Sequence, residues 1–308
     1  MRVDDLMVCD QAMAIALDEP SVDRLSEAVR VLCEWQADEA PMQLHPGDVG
    51  WFWRFGMQAT AAAVRTWSRG GRIVAVGLLD GPGLLRLTTA PDTQRNPELA
   101  QQLVADLSDP KRGVLPAGGV SVETPTGALV QALLAEYGWG IGEAWTPLRR
   151  DLAGPVEDPG VRIEVIGPDR AHLLTAVHRD AFGSPNFTDE RWQVMAGGLP
   201  YADARCLVAH NDQGAAVATA TVWSAGPGRP GVLEPMGVHS EHRGHGYGKA
   251  ITLAAAAALR QMGSSSAMVC TPSANVGGVA TYRAAGYEQL LERRDRTRED
   301  SGVATPGG

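Results

Sequence analysis

The chain has 308 residues, a formal net charge of −9, 44% hydrophobic residues and four cysteines. At roughly 100 to 200 residues per domain, this length predicts two domains, each large enough to bury its own core without metal or disulfide staples. The excess of acid works against bulk nucleic-acid binding, which needs clustered Lys and Arg, and it permits a cationic small substrate.

Cys9, Cys33, Cys206 and Cys270 are not spaced as metal-ligand pairs. That pattern predicts neither a disulfide framework nor a metal site, and it suits a reducing compartment. Asp4 and Asp5 stand where a secretory signal would be positive, and the apolar stretch after them is too short to export or span. A cytoplasmic chain without a membrane partner is expected.

The first helix is predicted over SVDRLSEAVRVLCEW, where Val22, Leu25, Val29 and Leu32 recur at helical spacing. Trp51, Trp53 and Phe55 alternate as a strand would. They open two readings, filling of the first core or an acceptor pocket against the second domain. Residues 72–79 and 84–90 read as two strands around an Asp80-Gly81 turn, followed by a helix near 97–107, a strand at 119–124 and a helix through Leu134. Residues 153–160, with two Pro, two Gly and two acids, cannot hold a regular ladder or helix and form the expected linker between domains 1–152 and 161–308. Beyond it come a strand at 161–166, helices near 169–182 and 188–197, a hairpin of 205–210 and 216–224, and a strand at 232–238. A Gly-rich turn, an Ala-rich helix to Met262, a strand at 267–271, a helix from about Asn275 and a strand pair from Tyr287 complete the order, with a tail from about 299. Phe182, Pro185, Asn186 and Phe187 lie in the first-helix region of this second half.

The order of elements in the first half returns in the second. VETPTGALVQALLAEYGW (122–139) resembles VCTPSANVGGVATYRAAGY (269–287), and the pairs Gly138/Gly286 and Arg95/Arg243 share one offset of 148 residues. Two landmarks in one order indicate duplication.

The segment 232–251 carries the strongest chemical signal. A strand leads into Arg243, Gly244, His245, Gly246, Tyr247 and Gly248, and then into a helix whose Ile251, Ala254, Ala255, Ala258, Leu259 and Met262 share a side. Such a turn brings unpaired N–H groups and a positive helix end to one point, which binds an anion such as a pyrophosphate. It is neither a dinucleotide fingerprint nor a P-loop, since no Lys-Ser/Thr pair follows the last Gly.

This string resembles motif A of the GCN5-related N-acetyltransferase (GNAT) superfamily, with Arg243, Gly246 and Gly248 at the signature positions. A second signature is similar at Asn275, Tyr282, Gly286 and Tyr287. The resemblance covers 161 to about 298. It implies an α/β (α+β) fold of two tandem acetyltransferase-like domains, each a mixed twisted sheet flanked by helices, with acetyl-CoA in an opening between the fourth and fifth strands. By the same resemblance, the backbone of Met236, Gly237 and Val238 pairs with the pantetheine arm and the turn from Arg243 to Lys249 holds the pyrophosphate. Asn275 belongs to the cofactor side. Val238 N–H polarises the thioester, Tyr282 protonates the departing sulfur and Glu234 accepts the amine proton. Pro235 and Gly237 suit a strand with a bulge or a close approach. His239, His242 and His245 occupy the exposed turn, and Cys270 is expected to pack as a small apolar residue. No metal is expected.

At offset 148 the first copy has Asn96, Pro97, Glu98 and Ala100 where the second has Gly244, His245, Gly246 and Gly248, and Leu134 faces Tyr282. Its anion site is expected to be lost, leaving one active site per chain. The expected activity is acetyl transfer from acetyl-CoA to a primary amine of a small molecule, cationic by the charge balance. Mycothiol synthases share such a tandem arrangement, although no residue here reads out a cysteinyl sugar. A non-catalytic acyl-CoA-binding sensor is the alternative of another class. A monomer is consistent with two copies pairing inside one chain.

Overall fold

A computed structural model describes residues 14–299. Asp4, Asp5, Cys9 and the C-terminal tail lie outside the described residues.

The first half runs β1 (Ile15–Asp18), α1 (Leu25–Glu34), α2 (Pro46–Phe52), α3 (Met57–Ala63), β2 (Val64–Arg69), β3 (Arg72–Leu79), β4 (Leu84–Thr89), α4 (Pro97–Ser108), β5 (Val120–Glu123), α5 (Leu129–Glu136) and β6 (Gly140–Asp151). The second runs β7 (Arg162–Val165), α6 (Ala171–Phe182), α7 (Asp189–Ala196), β8 (Ala204–His210), β9 (Ala216–Ser224), β10 (Gly231–Val238), α8 (Tyr247–Gln261), β11 (Ser266–Pro272), α9 (Val276–Ala284), β12 (Glu288–Gln289) and β13 (Arg293–Arg298). The two lists follow one plan, strand, helices, three antiparallel strands, helix, strand, helix and final strands. Residues 153–160 carry neither helix nor strand.

The strands form one mixed sheet in the order β1-β2-β3-β4-β5-β13-β6-β11-β10-β9-β8-β7, with β12 beside β6. Its centre is an exchange of final strands. β13 lies between β5 and β6, pairing antiparallel with both, while β6 pairs antiparallel with β11 over seven residues from Asp151 to Trp145. Each half is thereby closed by the last strand of the other. Arg293 and Trp145, which are register partners in the β13–β6 ladder, stand 148 residues apart in the chain. The ladder therefore pairs equivalent positions of the two copies, and a local two-fold relation passes between them.

The helical stretch after Leu44 differs from the strand alternation of Trp51, Trp53 and Phe55. Pro46 occupies the first helical turn, where its missing N–H is no loss. The His45 ring accepts from Gly47 N while Asp48 returns a bond to His45 N, a capping box that starts α2. α2 then packs against the second half. A Cβ on Gly47 or Gly50 would fall 2.5 or 2.3 Å from the Trp223 side chain, so only glycine allows this approach. Met42 and Trp51 of the first half pack on the core around Trp192 and Trp223, and Leu148 and Leu152 belong to the core of β8–β11 and α8. No helix among the described residues is long and apolar enough to cross a membrane.

Candidate functional site

The site begins where β10 and β11 separate. They pair only at Gly231–Val232 with Ala267–Met268, and beyond that point they diverge. A register shift between Leu233 and Met236, at the Glu234–Pro235 step, turns the strand, after which Met236, Gly237 and Val238 continue to pair with β9 alone. Their other edge faces the opening. Pro in place of a ladder donor and a bulge beside it are the local reasons the sheet splays here. Gly237 has a steric role: a Cβ there would stand 2.6 Å from that of Ala181, so glycine lets α6 lie against the strand.

A groove of about 800 Å³ follows this opening, lined by Met236, Gly237, Val238, Arg243, Gly244, Gly246, Gly248, Lys249 and Asn275 of the expected cofactor side, together with Phe182 and His242. His245 and Tyr247 are not among its lining residues. His245 Nδ1 lies 2.9 Å from the Arg243 carbonyl, and Tyr247 packs its ring on the core as the first residue of α8. The N-cap of α8 is Gly246, at φ 85, with no side chain capping the helix. The first-turn N–H groups therefore lack an intrahelical partner and keep their positive potential at the groove. Gly244 and Gly246 hold left-handed angles, whereas Gly248 is helical and serves contact, its Cβ position lying 3.0 Å from Thr281.

Several motif residues brace this turn. Arg243 donates from Nη2 to the Ala181 carbonyl at 2.9 Å and from Nε to the Val238 carbonyl at 3.4 Å, tying the turn to the end of α6. Ser240 N and Oγ donate to Asp180 on the same helix. Asn275 caps α9, accepting from Gly278 N at 3.1 Å and donating to Thr271 Oγ1 at 3.0 Å. His239 lies 3.5 Å from Asp180 and 5.4 Å ring to ring from His242, both belonging to the turn.

Glu234 sits at the point where the strands part, half-exposed, opposite Cys270 on β11, and both line one enclosed cavity beneath the splay. Tyr282 is buried in α9, its ring 6.1 Å from that of Tyr287, and it lines neither the groove nor the cavity. Burial first, then the charge of Glu234, push its phenol up, so it is protonated at neutral pH. Burial also pushes the Cys270 thiol up to about 12, leaving almost no thiolate.

The cavity also contains residues that sequence reasoning missed. Arg86 of β4 reaches Glu234 Oε1 at 3.5 Å, and it also contacts Asp80 at 2.9 Å and Asp48 at 3.3 Å. Arg86 and Glu234 are 148 residues apart, so they are equivalents of each other. The offset between the copies was the only signal that could have found this pair. The aromatic segments meet nearby: Trp51 lies 4.8 Å from Phe187 and 5.5 Å from His178, and Arg191 lies over Phe55. Trp53 is buried against Gly198.

At the matching helix of the first copy the anion-binding features are gone. Asn96 caps α4 by accepting from Leu99 N at 2.9 Å, Pro97 has no N–H, and Glu98 stands in the first turn, paired with Arg69. The orphan donors of that helix end are occupied or deleted, and a carboxylate opposes any anion.

Residues 171–287 match the model of the acetyltransferase (GNAT) family. In solved structures, a tandem GNAT protein from the clavulanic acid biosynthesis pathway is similar over 94% of this chain and 100% of its own, at 17% identity and a TM-score of 0.61. A GCN5-related N-acetyltransferase from Sphaerobacter thermophilus covers 93% and 96% at 18% identity and a TM-score of 0.57. A GNAT-family acetyltransferase from Colwellia psychrerythraea covers 92% and 98% at 16% identity and 0.58. No curated protein sequence matches the chain. Residues 171–287 thus fit the GNAT-family model, and the chain as a whole has the fold of tandem GNAT proteins.

Proposed function

We propose that the protein transfers an acetyl group from acetyl-CoA to a primary amine of a small molecule, by direct attack in a ternary complex at the second half. The observation that carries this reading is the uncapped N-terminus of α8 opening on a groove that ends at the parted strands β10 and β11. The orphan N–H groups of Tyr247, Gly248 and Lys249 and the Lys249 ammonium suit a pyrophosphate. The free edge of Met236–Val238 suits an amide-bearing arm added as a strand would be.

In this reading Glu234 takes the proton of the incoming ammonium, directly or through water. The amine nitrogen bonds to the acetyl carbon while Val238 N–H stabilises the oxygen that gains charge. The C–S bond then breaks, and the thiolate takes the proton of Tyr282, which solvent restores. The product is the acetamide and CoA thiol. Cys270, held as a thiol, has no part in it. In the first copy, the capped α4 and Leu134 at the position of Tyr282 remove both requirements.

The test is thiol release from acetyl-CoA across a panel of primary amines. Amine-dependent release with formation of the acetamide is expected. Tight CoA binding with no turnover for any amine would instead favour an acyl-CoA sensor.

A further inference from the structure

Glu234 shares its cavity with the first copy. The space, about 70 Å³, receives Arg86, Glu123 and Trp145 from the first half and Glu234, Arg293 and Asp295 from the second. It lies at the local two-fold, where Trp145 and Arg293 are register partners. Equivalent positions of the two copies thus meet here with different chemistry.

The charges do not balance within this space. The Arg86 guanidinium faces Asp48, Asp80, Glu123 and Glu234 at 2.9 to 3.5 Å, and Arg293 faces Glu123 at 2.9 Å and Asp295 at 3.3 Å. Glu123, Glu234 and Asp295 line the cavity with these two cations, whereas Asp48 and Asp80 meet Arg86 outside its lining and burial raises the Asp48 carboxyl. Burial would raise the Glu123 carboxyl, but Arg293 and Arg86 outweigh it and hold it low, whereas burial and the Glu123 charge raise Asp295. A second observation is independent of the acids. Arg293 is only 6% exposed, yet its Nε–H has no hydrogen-bond partner among the described residues. Arg293 lines the cavity, and a buried donor left without a partner asks for an acceptor.

We propose that the first copy is retained as half of the acceptor site. The cavity takes the head of a primary amine that carries an oxygen close to its nitrogen, the ammonium at Glu234 and the oxygen at Arg293, and Arg86 is the positioning residue that holds Glu234. This rests on the acetyl-transfer reading of the groove. At roughly 30 Å³ per water, the space is filled by two or three heavy atoms, so the oxygen and its adjoining carbon occupy it and the nitrogen stands at its edge by Glu234. An amine lacking the oxygen leaves the Arg293 donor unpaired, which is how buried polar sites discriminate.

Ethanolamine and propylamine, matched in size, test this directly. The wild type is expected to acetylate ethanolamine with a kcat/KM at least tenfold above that for propylamine. Leu84 of β4 also lines the cavity. Leu84→Phe, which fills the space without changing charge, and Glu123→Gln should each raise the KM for ethanolamine at least tenfold while the KM for acetyl-CoA stays within twofold. Arg86→Met should lower kcat/KM for the amine likewise, and Arg86→Lys should recover part of it. Equal efficiency for the two amines, wild-type amine KM in Leu84→Phe, or a parallel rise in the KM for acetyl-CoA overturns the proposal. Calorimetry separates the two readings. CoA binding without binding of either amine removes the cavity assignment and leaves the groove. If CoA does not bind, the groove reading falls, and ethanolamine affinity in wild type against Leu84→Phe decides the cavity alone.

Discussion

Tyr282 and Glu234 show how far a side chain's chemistry follows from its surroundings. The phenol lies in an apolar core with a carboxylate nearby, and both conditions favour its neutral, proton-donating form. Replacing it with Phe keeps the ring packing and deletes only the proton. Tyr282→Phe should therefore reduce kcat on the order of 10²-fold, within the usual range for a lost general acid, with CoA affinity unchanged in calorimetry. An unchanged kcat would remove Tyr282 from the reaction. The motif residues were legible one by one because glycine, tyrosine and arginine at fixed spacing carry local requirements. Arg86, Glu123 and Arg293 were not, because each is an ordinary charged residue on a strand until another part of the chain meets it.

Among elements, the comparison of α8 with α4 is the most informative. Both follow the fourth strand of their half and both pack on the sheet, yet one begins at a bare glycine and the other at an asparagine, a proline and a glutamate. The difference is a few side-chain atoms at one helix end. Gly246→Asp carries a carboxylate into the second copy: Asp is among the few residues that enter the left-handed angle, at some strain, and it stands where an anion is expected. The variant should lose a little thermal stability, remain folded by circular dichroism, and lose at least tenfold in CoA affinity by calorimetry, a loss of about 1.4 kcal/mol or more. Wild-type affinity would refute the pyrophosphate assignment. The sequence read α8 correctly from its Ala-rich run, but it misread 51–55. There the aromatic alternation overrode the stronger signals, Pro46 in the first turn and the His45–Asp48 capping pair.

For the whole molecule, the exchange of β6 and β13 makes the halves interdependent. A fragment of residues 153–308 would leave β11 without β6, would leave β13 without either ladder partner, and would strip Leu148 and Leu152 from its core. Each buried leucine contributes about 2 kcal/mol. The fragment alone is expected to be insoluble or molten by near-UV circular dichroism, and co-expression with residues 1–152 should restore a folded complex. A cooperative unfolding transition for the isolated fragment would contradict this.

The second contact between the halves responds to pH. His45 accepts from Gly47 N and, through Nε2, faces the Pro230 carbonyl of the other half at 3.2 Å, and burial lowers its pKa to about 4. An unfolded histidine titrates near 6.5, so between 6.5 and 4 the unfolded chain binds the proton and the native one resists it. The stabilisation is complete above 6.5 and is lost as pH falls toward 4, by up to ~3 kcal/mol over that window. His45→Asn keeps a capping acceptor and removes the titration. Its Tm should fall less than that of the wild type from pH 7 to 4.5, and identical slopes would exclude His45 as the group involved.

The sequence by itself showed the repeated order of elements, the family resemblance and the contrast between the two helix ends, one capped and one bare. Each of these resides in near-neighbour chemistry, such as a turn that needs glycine, a helix end that is capped or bare, or a spacing repeated at a fixed offset. Only the tertiary structure decided what the first copy contributes. The exchange of final strands depends on pairings between residues more than a hundred positions apart, which no local pattern encodes. It is this exchange that sets Arg86 against Glu234 and closes one cavity from both halves.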